Sequence, residues 1–160
     1  MTDVTSTDFL RYGVVGVAAP DVASGDLSRA LWHLGPSAVE QAGVTQSIVE
    51  HMRIKEDNQR IYTSHAAALA QARNGNGVAL VPKFVADRST GTGELALVED
   101  RRCAATATWT ARSWRGTKAS GAARELMRFV TTPRAIQAML AGSGSRIGRF
   151  KPRVHITLWS

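Results

Sequence analysis

A single cysteine, Cys103, among 160 residues has no partner for an internal disulfide and cannot anchor a zinc site. It opens the run Cys103-Ala104-Ala105-Thr106-Ala107, whose apolar character predicts a buried structural thiol rather than a reactive one. The four histidines, His33, His51, His65 and His155, never stand at HxxxH or HxH spacing, so no metal is predicted. No apolar run approaches the roughly 18 residues that span a bilayer, and no membrane partner is expected. The first ten residues, MTDVTSTDFL, lack the basic start of an export signal, which makes the cytoplasm the expected location. Catalytic pairings are missing too. Ser64 and His65 are adjacent, and adjacent helical positions point apart; Glu56 and Asp57 diverge in the same way. Gly75-Asn76-Gly77 follows a helix and precedes a strand, the reverse of a dinucleotide-binding loop. The chain is therefore expected to be no enzyme and to need no cofactor.

Acidic residues nearly vanish from the C-terminal part. Residues 101–160 hold 12 Lys/Arg against the lone Glu125, whereas residues 1–100 hold 8 against 12 acids. Such asymmetry fits a surface for nucleic-acid phosphates, a solvated basic face, or a complement to the acidic N-terminal part. On the first of these readings residues 101–153 bind nucleic acid non-specifically, with Arg112, Arg115, Arg149, Lys151 and Arg153 as candidate contacts. Those cations lack the aromatic interleaving of a single-strand binder.

What is present reads as an ordinary soluble chain, 44% hydrophobic and 21% charged, able to bury a core without staples. Its most legible stretch is residues 63–84. Thr63 or Ser64 can cap a helix, the alanine-rich residues 66–73 propagate it, and Asn74-Gly75-Asn76-Gly77 tolerates the positive φ that ends it. Val78-Ala79-Leu80-Val81 then has no polar face, as a strand covered on both sides would have, and Pro82 ends it. Elsewhere residues 12–19 read as a strand. Residues 27–34 read as a short helix capped by Ser24 or Asp26, and 36–42 as another. Residues 52–55, 59–62 and 102–110 read as strands, and 120–130 and 133–140 as helices. Strand and helix alternate, which predicts a layered α/β fold with largely parallel pairing. Residues 141–145, AGSGS, form a linker by composition, and the basic tail behind it is expected to be an edge strand or strap, or a segment that pairs with a partner.

The order helix, Asn-Gly turn, Gly77-Val78-Ala79-Leu80-Val81-Pro82 strand and Phe84 resembles the effector-binding domain of LysR-type transcriptional regulators. Val85-Ala86-Asp87 and Gly93-Glu94-Leu95-Ala96-Leu97-Val98 are similar to that family's next helix and returning strand. Residues 14–20, Asp26-Leu27 and Leu31-Trp32 are similar to the first strand and helix of its second subdomain. The resemblance implies a periplasmic-binding-protein-like layered sheet with flanking helices, one subdomain essentially complete and the other partial. Residues 1–100 would be effector-binding subdomain II, 101–140 a partial return to subdomain I, and 141–160 a basic linker and tail. The family's winged helix-turn-helix has no counterpart, so the chain looks like the C-terminal half, with no sequence-specific DNA contact of its own.

The function so implied is a ligand-sensing or oligomerisation module of such a regulator, and the alternative of the same two-lobed architecture is a solute-binding protein. The effector would be a small carboxylate or aromatic metabolite. Thr63, Ser64 and His65 would meet it at a helix start, where orphan N–H groups attract anions, and Val81, Pro82 and Phe84 would form an apolar wall. Helix 119–130 leaves Leu126, Met127 and Phe129 in need of cover, which implies a homo-oligomer or pairing with a longer regulator chain.

Overall fold

Strand β1 (Val4–Ala18) runs fifteen residues and every other strand is placed by reference to it. The computed structural model describes residues 4–40, 43–115 and 120–141. The sheet has six strands: β3 (Gln59–Ile61), β2 (Trp32–Leu34), β4 (Val78–Pro82), β1 and β5 (Ala96–Leu97) in spatial order, with β6 (Ala104–Trp114) also paired to β1. The layered α/β fold is as expected, but the largely parallel pairing is corrected. Among the described residues only β2 pairs in parallel, with β3 and β4, whereas β1 is antiparallel to β4, β5 and β6. Helical crossovers α2 (Val44–His51) and α3 (His65–Arg73) return the chain in the same direction between β2, β3 and β4. β1 enters the sheet from the opposite end.

β4 explains why residues 78–81 carry no polar side chain. Val78 and Leu80 pack with Val14, Trp32, Leu34 and Ile48 on one face, while Ala79 and Val81 pack with Val17, Leu69 and Ala72 on the other. Both faces are dry, and each such Val or Leu contributes about 1.5–3 kcal/mol by its burial. Cys103 is buried in the first of these clusters, its Sγ 3.6 Å from the Met52 sulfur. Burial pushes its thiol up to about 11, in keeping with the structural role expected of it.

Other segments fold differently from the sequence expectation. Residues 27–34 are not a helix: the Asp26 carboxylate accepts from the Ser28 amide, closing a local turn instead of capping, and the segment ends as the buried strand β2. Ser24 caps the far end of the short helix α1 (Pro20–Ala23). Within residues 36–42 the regular part is a 3-10 turn, Pro36–Val39, and residues 41–42 lie outside those described. Residues 52–55 form no strand; they close α2, a helix the sequence reading did not anticipate. Of residues 93–98 only β5 pairs as a ladder, and β6 runs to Trp114, beyond the expected end at 110. Residues 59–61, α3, α4 (Lys83–Gly91), α5 (Gly121–Val130) and α6 (Pro133–Leu140) stand where expected.

Beyond the reach of β4, the first part of β1 and β6 from Thr106 onward form a two-stranded ribbon on which α5 and α6 rest. A bulge at Phe9, between the pairs Asp8↔Thr110 and Leu10↔Trp109, shifts the register by one. Since β6 is uninterrupted, Tyr12, Leu10, Thr7 and Thr5 therefore share one face of the ribbon with Ala107, Trp109, Ala111 and Ser113. No helix among the described residues is long and apolar enough to cross a membrane.

Candidate functional site

The carboxyl ends of β2 and β4 lie side by side, because Leu34 is in register with Leu80 and β4 continues to Pro82. In open α/β sheets this edge is where loops and helix starts converge on a ligand. Three features lie at or beside it. The first is the start of α3. Ser64 is its cap, in extended conformation, with Oγ accepting from the Ala67 amide at 3.2 Å. Thr63 is exposed and Ser64 takes the capping role.

The second is His65, in the first turn of α3. Its imidazole lies directly on the Cα of Gly35, the residue after β2, and a Cβ at position 35 would fall on the ring. The Nδ1 atom is buried without a hydrogen-bond partner. Desolvation lowers the His65 pKa below its ordinary 6.5, so the ring is neutral at physiological pH. A buried polar atom without a partner is uncommon in folded proteins and calls for an explanation.

The third is aromatic. Phe84, at the start of α4, packs edge-on against Tyr12 at 5.7 Å and against Trp109 at 6.1 Å, and these two meet each other at 5.3 Å. Burial raises the Tyr12 pKa, opposed by a hydrogen bond with Trp109 and reinforced by the Glu40 carboxylate. Glu40 follows the 3-10 turn that begins beside Gly35, so the segment from 35 to 40 runs from the imidazole towards the aromatic group.

The predicted site residues divide accordingly. Ser64 and His65 stand at the edge, with exposed Thr63 beside them, and Phe84 joins the aromatic group. Val81 is packed beneath α3 and Pro82 is buried at the strand end, where both support the edge from below. Among the arginines, Arg112 pairs with Ser6 on one face of the ribbon, while Arg115 lines a pocket with Ser113 on the other; Arg149, Lys151 and Arg153 lie outside the described residues.

Gly35, Tyr12, Glu40 and Trp109 were not singled out by sequence. Gly35-Pro36 directly after Trp-His-Leu was the available signal, hidden by reading that stretch as helix. Beneath the edge, buried His33 binds the Tyr62 hydroxyl through Nδ1 at 3.0 Å and the Asn76 carbonyl through Nε2 at 2.9 Å. A carbonyl only accepts, so Nε2 carries the proton and Nδ1 accepts from Tyr62. This ties β2 to the segment entering α3 and to the turn leaving it.

At the opposite end of the sheet a wider open groove of ≈ 690 Å³ lies between residues 20–28, 52–55 and 96–100. Its rim carries charges of both signs, with the Arg102 guanidinium bound to Asp100 at 2.6 Å and holding that carboxyl down to about 2. It is at the amino ends of β2 and β4, away from the helix start and the imidazole.

Against known proteins, the chain matches no family model. It is 36% identical over 159 residues to an uncharacterized HTH-type transcriptional regulator of Mycobacterium tuberculosis, found in two strains; the match takes in 95% of this chain and 50% of each relative. The chain thus spans about half the length of these curated relatives. Among solved structures, the regulatory domain of HypT from Salmonella typhimurium superposes with a TM-score of 0.64 at 15% identity, over 87% of this chain and 68% of that one. The effector domain of AmpR from Pseudomonas aeruginosa gives 0.60 at 15% identity, over 87% and 69%. Full-length LysG of Corynebacterium glutamicum, a LysR-type regulator with its effector Arg bound, gives 0.62 at 17% identity, over 86% and 48%. At such identities the likeness is one of fold.

Proposed function

We propose, starting from the fact that this chain carries the effector-binding fold of LysR-type transcriptional regulators, that it is the ligand-sensing module of such a regulator. In this reading residues 1–100 are effector-binding subdomain II and 101–140 a partial return to subdomain I. The ligand is a small carboxylate or aromatic metabolite held at the carboxyl ends of β2 and β4. The observation that carries the proposal is the start of α3, capped by Ser64 and set beside Gly35 at the carboxyl ends of β2 and β4. The first-turn N–H groups not used by Ser64 supply anion affinity, and the His65 ring, its Nδ1 packed on Gly35, fixes the start of α3 against the end of β2. Phe84, Tyr12 and Trp109 supply an apolar aromatic wall for the body of the ligand.

A thermal melt of the purified chain at two protein concentrations, against a panel of carboxylates and aromatic acids, tests this. One ligand is expected to raise the midpoint at both concentrations, because only preferential binding to the native state does so, and His65→Leu is expected to abolish the rise. A panel without effect would refute the reading.

Association of this chain with itself or with a longer regulator chain is a second proposal. It rests on Leu126, 61% exposed on α5, and Trp114, 58% exposed at the end of β6. Light scattering is expected to give a mass that rises with concentration in the micromolar range, or on addition of a longer regulator. A constant monomer in both experiments would contradict it.

A further inference from the structure

The ribbon and α5 enclose a second, shallower pocket of ≈ 390 Å³, lined by Thr5, Thr7, Ser113, Trp114, Arg115, Arg124 and Met127. Register puts three hydroxyls together: Thr5 is directly opposite Ser113, and Thr7 is two residues along on the same face. Arg115 extends from the end of β6 and Arg124 from α5. Among the described residues, neither the three hydroxyls nor the two guanidinium groups have a side-chain hydrogen-bond or ion-pair partner. Among the described residues no carboxylate lines the pocket.

Two cations thus line one pocket beside three hydroxyls with no counter-charge from a described residue, and Arg124 bears a further cost. It stands just past the first turn of α5, capped by Ser120, and that turn contains no acid. The N-terminal end of the helix is therefore positive beside a positive side chain, the unfavourable arrangement. An anion in the pocket would relieve both penalties.

We infer that this pocket binds a dianionic tetrahedral oxyanion, a phosphate or sulfate group. A carboxylate has one charge and two oxygens, too few for two guanidiniums and three hydroxyls, whereas a phosphate group offers two charges and several strong acceptors. Trp114 and Met127 flank the site and would contact whatever carries the group. The inference is independent of the proposed effector edge, with which this pocket shares no residue.

The test titrates the purified chain with sodium phosphate, and separately with sodium sulfate, against sodium chloride at matched ionic strength and constant pH. Thermal melts and calorimetry are the readouts. Phosphate is expected to raise the midpoint beyond the chloride control and to bind at least tenfold more weakly to Arg115→Gln and to Arg124→Gln. Arg112→Gln, on the opposite face of the ribbon, is expected to bind as the parent does. Should either arginine variant melt without cooperativity, the isosteric Thr7→Val carries the same expectation of weakened binding. Competition by a short oligonucleotide, lost in the same variants, would name a nucleic-acid backbone as the source of the phosphate; its absence would name a free ester or inorganic ion. An equal rise with chloride, or equal loss of binding in Arg112→Gln, would overturn the inference.

Discussion

Gly35 and His65 depend on each other at atomic scale. Gly35 has an ordinary negative φ of −82°, so backbone freedom is not its purpose; it is needed because the imidazole occupies the place of a side chain. Gly35→Ala is expected to destabilise the chain by about 1–3 kcal/mol, the usual cost of overpacking, and to displace His65, which urea unfolding and the imidazole resonances would reveal. His65 also sets a pH dependence. Its folded pKa is below the ordinary 6.5, so the unfolded chain takes up the proton more readily. The His65 contribution is intact above about pH 6.5 and is lost as the pH falls from there through the folded value. The urea midpoint of the parent is expected to drop between pH 7.5 and 5 more than that of His65→Gln. Arg53 is a third case: at φ 53° it is the one non-glycine residue with positive φ among those described. Arg53→Gly is expected to stabilise by about 0.5–1 kcal/mol, by relieving the left-handed penalty at an exposed position.

The helices show why some elements were legible and others were not. α2, α3 and α4 all end on a left-handed residue after the cap. In α3, Gly75 takes that place and Asn76 N–H returns to the Gln71 carbonyl. In α4, Gly93 takes that place and the Leu95 N–H returns to the Ser89 carbonyl. In α2, Ile54 N–H returns to the Val49 carbonyl around Arg53, which is the same motif with arginine where glycine is expected. Without glycine the stop signal disappears, and so the sequence reading missed α2. β2 was lost for a different reason. Three residues give no period, and Trp32, His33 and Leu34 are all buried, with the histidine satisfied by Tyr62 and Asn76 from distant segments. By contrast the Ser64 cap, the glycine turn and β4 were local, and they were legible. Ser64→Ala is expected to cost about 1 kcal/mol through loss of the bond to Ala67, measurable by thermal melt. Half of the candidate edge could be read in the same way, since Ser64, His65 and Phe84 follow α3 and β4. Gly35, Tyr12 and Trp109 reach it only through pairing between strands remote in sequence.

At the scale of the molecule, a dry two-sided sheet around β4 supports the proposed ligand edge, while the ribbon with α5 and α6 leaves apolar and basic surface on view. The two parts share a core, since Cys103 and Ala107 are buried with Val14, Trp32 and Ile48, and on the proposed readings the last part also engages an oxyanion or another chain. Amide hydrogen exchange, with and without the carboxylate or aromatic acid that most raises the melting midpoint, tests the central claim most directly. Added protection is predicted in residues 35–40, 62–67 and 82–86, with the groove at residues 52–55 and 96–100 unchanged. Protection confined to that groove or to the ribbon, with none at the start of α3, would contradict the account.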